Sequence, residues 1–190
     1  MNWIFTAVIF GGLLSLILTP VFIKFQRKKQ IGQRIRVDGP QSHSSKTGTP
    51  TMGGIVFIFA AVISYIVVTL VKFYRYKDFS LEGIFIITVF LLCGLIGFVD
   101  DYIALKKKRN LGLRGWVKIL MLITVCIYFV LFSRLILNID TYLSIPFTSI
   151  NLELGKWYYI FPIVMLISTT NAVNLTEGLD GLDAGSSAIV

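Results

Sequence analysis

The stretch Phe-Val-Asp-Asp-Tyr at residues 98–102 places two adjacent carboxylates, Asp100 and Asp101, where an apolar run meets a basic one. The apolar run covers residues 83–99, and four consecutive basic residues follow at 106–109. Adjacent carboxylates repel each other, and at the C-terminal end of a helix they also face the negative end of its dipole. We therefore expect the pair to be compensated. A divalent cation with phosphate, the basic run and bulk water at a membrane surface are the open candidates.

The composition indicates a membrane protein. Hydrophobic residues make up 55% of the 190 and charged residues only 15%, and the mean hydropathy is +0.78. These values exclude an ordinary soluble domain. A net charge of +8 could suit nucleic acid, but the basic residues cluster between apolar runs, as in loops beside anionic lipid. Cys93 and Cys126 lie inside apolar runs without metal-ligand spacing, so we interpret them as small core hydrophobes.

Five apolar runs predict an all-α polytopic membrane protein with a single membrane domain over residues 1–190. Each run is close to the ~20 residues that cross ~30 Å of hydrocarbon. The first run has no basic segment before it and no small-residue cleavage site after it, which predicts a retained anchor. Residues 138–156 fit an external loop with a hairpin. The spans are predicted at residues 3–25, 55–71, 83–99, 119–137 and 157–173.

The basic residues predict the topology. Twelve of the 18 lysines and arginines fall on loops 26–54 and 100–118, and a thirteenth, Lys24, lies at the adjoining end of the first span; by the positive-inside rule this side faces the cytoplasm. Loops 26–54 and 100–118 are then cytoplasmic and the amino terminus lies outside. The basic residues at 72, 75 and 77 run against the rule, because their link is predicted to be external. With this topology three polar stretches share the cytoplasmic face, which predicts a site there for a water-soluble and a lipid-borne substrate.

The first polar stretch, residues 38–54, has the composition of a phosphate-binding loop. It contains Gly-Thr-Pro-Thr-Met-Gly-Gly at 48–54. Its glycines permit close backbone approach, Lys46 supplies a charge, and Thr49 and Thr51 supply hydroxyls. The order of residues is not that of a P-loop, and a Gly/Pro-rich linker is the alternative. His43 is the single histidine of the sequence. A lone histidine in a polar loop is more often a surface residue than a ligand.

The last polar stretch carries a polar side chain at every third position. At three residues per turn these side chains would share one face, whereas an α-helix rotates them by ~60° per step. Gly178 and Gly181 predict that the helix breaks here. Polar groups on broken backbone at membrane depth line a cavity or a buried site, and a helix that ends in a solvated acidic turn is the alternative. The series is Asn171, Asn174, Glu177, Asp180 and Asp183.

Together the three motifs resemble the phospho-N-acetylmuramoyl-pentapeptide transferases, the translocase I family of peptidoglycan synthesis. The motifs at 38–54, 98–102 and 171–181 occur in the family's order, and the resemblance covers nearly the whole chain. It implies Mg²⁺-dependent transfer of phospho-MurNAc-pentapeptide from UDP-MurNAc-pentapeptide to undecaprenyl phosphate at the inner membrane of a bacterium, giving lipid I and UMP. This reaction serves cell wall biogenesis, and with it cell shape and cell division. A homodimer is compatible with the resemblance, and nucleic acid is not an expected partner.

The resemblance also implies roles for particular residues. Asp100 and Asp101 would lie at the catalytic centre beside Mg²⁺, where one assists attack by the lipid phosphate. The residues that would contact substrate are, for phosphates, Lys46, Thr49 and Thr51 and, for the nucleotide, Asn171, Asn174, Glu177 and Asp180.

The sequence departs from the family pattern in two respects. The family usually has Asp at the position of Glu177, so the extra methylene changes the expected nucleotide contact. Family members also have about ten transmembrane helices and later motifs, including a metal-binding Asp and a His-rich loop, that these 190 residues do not contain. We therefore expect an N-terminal fragment that is inactive by itself.

Other interpretations stay open at this stage. A related polyprenyl-phosphate N-acetylhexosamine-1-phosphate transferase would share the Asp pair, although the loop at 48–54 matches the muramoyl branch better. A transporter could also use broken helices and intramembrane acids, but it would be expected to show an internal repeat, and none is found. A non-catalytic membrane scaffold would tolerate replacement of both Asp100 and Asp101 by Asn.

Overall fold

The computed structural model describes residues 2–29, 32, 50–107, 112–145, 147–176, 185 and 187. Over these ranges the chain is helical apart from one short antiparallel strand pair and its connections. The all-α architecture predicted from the apolar runs is therefore confirmed. The helices are α1 (Asn2–Lys28), α2 (Gly54–Tyr76), α3 (Leu81–Lys106), α4 (Gly115–Leu135) and α5 (Ile160–Thr176).

Four of these helices, α1 to α4, are long and apolar enough to cross a membrane. Helix α5 has 17 residues and follows a 3₁₀ helix at Gly155–Tyr159. Each of the five predicted spans overlaps one of the five helices. The chain is a multi-pass membrane protein. The orientation of its amino terminus stays a prediction.

The structure differs from the expected loop at residues 100–118. Helix α3 continues to Lys106 and α4 begins at Gly115, so the connection between them is residues 107–114. Residues 100–106 contain neither Gly nor Pro, and Ile103 and Leu105 are half-buried, so nothing ends the helix at Val99. Asp100 and Asp101 therefore lie inside α3, more than one turn before its end. At that distance the helix dipole has little effect on them.

Contacts divide the chain into two units, Met1–Lys118 and Ile119–Val190. In the first unit α1 packs on α2, and α2 packs on α3. Small residues line the α1–α2 contact: Ala60 and Ser64 are buried, and a Cβ on Gly11 would lie 3.3 Å from Ser64 Cβ. The Ser64 hydroxyl donates to the Ala7 carbonyl at 2.6 Å. Small side chains let two helices approach closely, and an interhelical hydrogen bond satisfies the hydroxyl within an apolar surface.

In the second unit, the segment after α4 forms the expected hairpin. Strands β1 (Tyr142–Ser144) and β2 (Asn151–Glu153) pair antiparallel, with Leu143 opposite Leu152. The Arg134 guanidinium near the end of α4 lies 5.9 Å from the centroid of the Tyr159 ring, a cation–π distance. The hairpin and the 3₁₀ helix therefore connect α4 to α5 through ordered contacts.

Candidate active site

Asp100 is held in place by the loop that precedes α4. The Leu113 N–H donates to Asp100 Oδ1 at 2.7 Å, a short distance typical of a charged acceptor. Lys118 Nζ, in the first turn of α4, lies 3.7 Å from Asp100 Oδ2. That separation gives an ion pair but exceeds hydrogen-bond distance for good geometry. Asp100 therefore has one oxygen fixed by the main chain and the other facing a cation.

Within the described ranges, the positive group that pairs with Asp100 is Lys118, at the start of α4. Sequence reasoning placed the compensating charge on a cation, on residues 106–109 or in water, and counted Lys118 only as a topology marker. Lys106 and Lys107 are exposed. Lys118 lies beside Asp100 because Leu113, two residues before α4 begins, is itself hydrogen-bonded to the Asp100 carboxylate.

Gly112 makes the contact between this loop and α3 sterically feasible. It is buried, and a Cβ at this position would overlap both the backbone carbonyl and the carboxylate of Asp100. Only glycine fits without displacing the carboxylate. The sequence analysis did not single out Gly112, although a glycine between a basic run and the next apolar run was visible.

The two adjacent carboxylates face different surroundings. Successive residues of an α-helix point ~100° apart, and accordingly Asp101 is exposed whereas Asp100 is half-buried. Among the residues that the structure describes, no three His, Cys, Asp or Glu side chains come together as metal ligands. Mg²⁺ commonly takes one or two protein carboxylates and completes its shell with water and substrate phosphate. The donor set at 100–101 fits that kind of site.

Thr51 is the one predicted phosphate-binding residue that lies within the described ranges, since Lys46 and Thr49 fall outside them. Its main chain is bound on both sides by the Gln26 amide: Nε2 donates to the Thr51 carbonyl at 2.8 Å and Oε1 accepts from the Thr51 N–H at 3.1 Å. Its hydroxyl oxygen is buried and, within the described part of the chain, has no hydrogen-bond partner. Sequence analysis missed Gln26.

The nucleotide-pocket residues are only partly described. Asn171 and Asn174 lie in α5, Glu177 and Asp180 lie outside the described residues, and so does the predicted break at 178–181. Asn171 Nδ2 donates to the Ile167 carbonyl of its own helix at 2.7 Å.

The hydroxyls that begin the polar stretch are satisfied within α5. Ser168, Thr169 and Thr170 each donate to the carbonyl four residues earlier, at 2.6 to 2.7 Å. Hydroxyls that return to the helix are tolerated in an apolar segment. These three hydroxyls therefore need no partner outside α5.

Residues 83–190 match the family model described as Glycosyl transferase family 4. The chain belongs to this family. It is 43% identical over 183 residues to the phospho-N-acetylmuramoyl-pentapeptide-transferase of Bacillus pumilus, covering 96% of this chain and 55% of the relative. The enzyme of the same name from Bacillus mycoides is 45% identical over 177 residues (93% and 53%), and that from Bacillus subtilis 41% identical over 182 residues (96% and 55%).

These matches confirm the resemblance drawn from the three motifs. The chain spans about half the length of the curated relatives it matches. The region that matches the glycosyl transferase family 4 model begins within α3 and includes Asp100, Asp101, Gly112 and Lys118. Gln26 and Thr51 precede it.

Proposed function

We propose that this chain contributes to transfer of phospho-MurNAc-pentapeptide from UDP-MurNAc-pentapeptide to undecaprenyl phosphate, which forms lipid I and releases UMP. Three findings support the proposal: membership of glycosyl transferase family 4, 41% identity or more to three enzymes named for this reaction, and helices suited to a membrane. The single observation that carries it is Asp100, a carboxylate fixed by a main-chain N–H and paired with one lysine in a membrane protein.

The reaction joins two anions. An oxygen of the lipid phosphate attacks the phosphorus bonded to the sugar, the bond between the two donor phosphates breaks, and UMP leaves with the electron pair. Such an attack needs alignment and charge neutralisation. Asp100 and Asp101 are assigned, as a pair, to accepting the proton of the lipid phosphate and to binding Mg²⁺. Bound Mg²⁺ would offset the charge of the diphosphate.

The surrounding residues hold these groups in place. Leu113 N–H fixes the direction of the Asp100 carboxylate, and Lys118 balances part of its charge. The buried Thr51 hydroxyl is a candidate donor to a substrate phosphate, together with Lys46 and Thr49. The nucleotide is assigned to Asn171, Asn174, Glu177 and Asp180 on the motif they form. All of these lie on the cytoplasmic face in the proposed topology, and a homodimer remains compatible with it.

The test is a transferase assay on the product of the complete reading frame that contains these residues, purified into lipid. UDP-MurNAc-pentapeptide, undecaprenyl phosphate and Mg²⁺ are supplied, and UMP and lipid I are measured. We expect turnover with this donor and none with UDP-GlcNAc. Turnover with UDP-GlcNAc alone would assign the protein to the related N-acetylhexosamine branch. No turnover with either donor, while the Bacillus subtilis relative is active in the same lipid, would refute the proposal.

A further inference from the structure

Gln26 is the most unusual side chain of α1. Its neighbours Phe25, Arg27, Lys28 and Lys29 are exposed, as expected at the end of an apolar helix, yet Gln26 is only 3% exposed. A long polar side chain is rarely buried to this extent unless its amide is fully paired. The hydrogen bonds of the Gln26 amide therefore have to account for its burial.

The Gln26 amide makes two hydrogen bonds to the main chain of one residue. It donates to the Thr51 carbonyl at 2.8 Å and accepts from the Thr51 N–H at 3.1 Å. A primary amide carries a donor and an acceptor side by side in one planar group, which matches the N–H and the carbonyl of a single residue. Leu at position 26 could form neither bond, and an ionised Glu could form only the one that it accepts.

The contact lies at the point where the chain enters α2. Met52, the next residue, has a φ of 60°, a conformation that residues other than glycine rarely adopt. The first turn follows at once, because Ile55 N–H donates to Met52 and Val56 N–H donates to Gly53, each at 3.1 Å. The bidentate contact at Thr51 therefore fixes the direction from which the segment 50–53 joins α2.

We propose that Gln26 is a positioning residue that holds Thr51 at the substrate-phosphate site. This inference rests on the proposed function, since it takes Thr51 as a donor-contacting residue. Gln26 binds both the N–H and the carbonyl of Thr51 and so fixes the position of the Thr51 hydroxyl, a buried donor without a hydrogen-bond partner among the described residues. Gln26 acts through Thr51 and needs no contact with substrate.

The test compares two contacts made by α1: that of Gln26 with Thr51 and that of Ala7 with Ser64. Gln26→Leu removes both bonds, and Gln26→Glu keeps the shape and the acceptor but turns an oxygen toward the Thr51 carbonyl. Ser64→Ala is the matched control, because it removes a hydrogen bond between α2 and α1, to the Ala7 carbonyl, from a residue that is also 3% exposed. Each is made in the complete protein, and thermal unfolding, transferase kinetics and amide hydrogen exchange are measured.

We expect both Gln26 variants to raise KM for UDP-MurNAc-pentapeptide about tenfold with kcat within about threefold, since only ground-state positioning is lost. Exchange at the Thr51 amide should rise about tenfold or more in Gln26→Leu, and less in Gln26→Glu, which keeps the acceptor of that N–H. Ser64→Ala should leave KM and the Thr51 exchange rate unchanged, even if it lowers the unfolding temperature as much as the Gln26 variants do.

The outcomes separate this inference from the proposed function. Unchanged exchange of the Thr51 amide in Gln26→Leu would show that Gln26 does not hold the main chain of Thr51, and it overturns the inference. An active Gln26 variant with unchanged KM, or with losses equal to those of Ser64→Ala, overturns the positioning role alone. Absence of transferase activity in the unmutated protein overturns the proposed function and the positioning role with it, whatever the exchange result.

Discussion

Two polar side chains of the first unit make the same kind of contact with different results. Gln26, near the end of α1, binds the main chain of Thr51 just before α2 begins. Asp100, in the last turns of α3, binds the main chain of Leu113 just before α4 begins. In each case a side chain of one helix holds the entry to the next helix.

The two side chains differ in whether they can still bind a proton or a metal. Gln26 is neutral, almost completely buried, and uses its donor and its acceptor on Thr51. Asp100 is charged and half-buried, and only Oδ1 is committed to a main-chain N–H, while Oδ2 faces Lys118 at 3.7 Å. A carboxylate has about four lone-pair sites. The contact at Gln26 can therefore only position, whereas the contact at Asp100 positions a group that can still bind a proton or a metal.

The largest expected effect comes from removing the charge at Asp100. Asp100→Asn keeps an oxygen for the Leu113 N–H, so the fold should survive with an unfolding temperature within a few degrees of the original. We expect kcat of the complete protein to fall by roughly a hundredfold or more, as for other losses of electrostatic stabilisation at a reacting centre. The measurement is UMP release at saturating substrates.

The matched control for that variant is Asp78→Asn. Asp78 also pairs with a lysine, Lys72 at 2.9 Å, but it is exposed in the link between α2 and α3. This variant should keep kcat within about twofold, since an exposed ion pair contributes little. An Asp100→Asn protein with the original kcat would reduce Asp100 to the same positioning role as Gln26.

A smaller effect is expected when the carboxylate is moved rather than neutralised. Gly112→Ala places a Cβ where the carboxylate and carbonyl of Asp100 lie, so the loop or the carboxylate must shift. A displacement of ~1 Å can cost up to ~100-fold in rate, and we expect kcat to fall about 10-fold to 100-fold.

Gly115→Ala is the control for this second variant, because a Cβ at Gly115 meets nothing within 4 Å and Ala suits a helix start. Its kcat should be unchanged. Equal loss in both glycine variants would mean that the loop tolerates no side chain for reasons unrelated to Asp100.

Much of the helical architecture followed from the sequence, because apolar runs of about 20 residues have few alternatives in a membrane. The Asp pair could be selected as a candidate site because two adjacent charges at the edge of an apolar run need compensation. The extension of α3 to Lys106 was missed because charged residues at 100–101 mark the membrane boundary, which is not the end of the helix.

The partners of the two anchoring side chains could not be found from the sequence. Gln26 meets Thr51 and Asp100 meets Lys118 only after the helices pack, and spacing along the chain carries no signal of either pairing. The run at 106–109 was the nearer source of positive charge in sequence, whereas within the described residues Asp100 forms its ion pair with Lys118. The hydroxyls at 168–170 are the opposite case, since their partners are carbonyls of the same helix, four residues earlier.

The smallest expected effect comes from removing Lys118, and comparison with removal of Lys107 tests which lysine compensates Asp100. Lys118 and Asp100 have side chains only 19% and 21% exposed, yet ion pairs of this kind contribute only about 1 kcal/mol net, or roughly fivefold in an equilibrium constant. Lys118→Met should therefore lower kcat about fivefold, and Lys107→Met, at an exposed position of the basic run, should leave it within twofold. Because the Lys118 pair is half-buried, its effect should persist at 0.5 M salt, an ionic strength that screens exposed charges over roughly 4 Å. A larger loss in Lys107→Met than in Lys118→Met would return the compensating charge to the basic run and leave Asp100, like Gln26, with a main-chain contact as its one established partner.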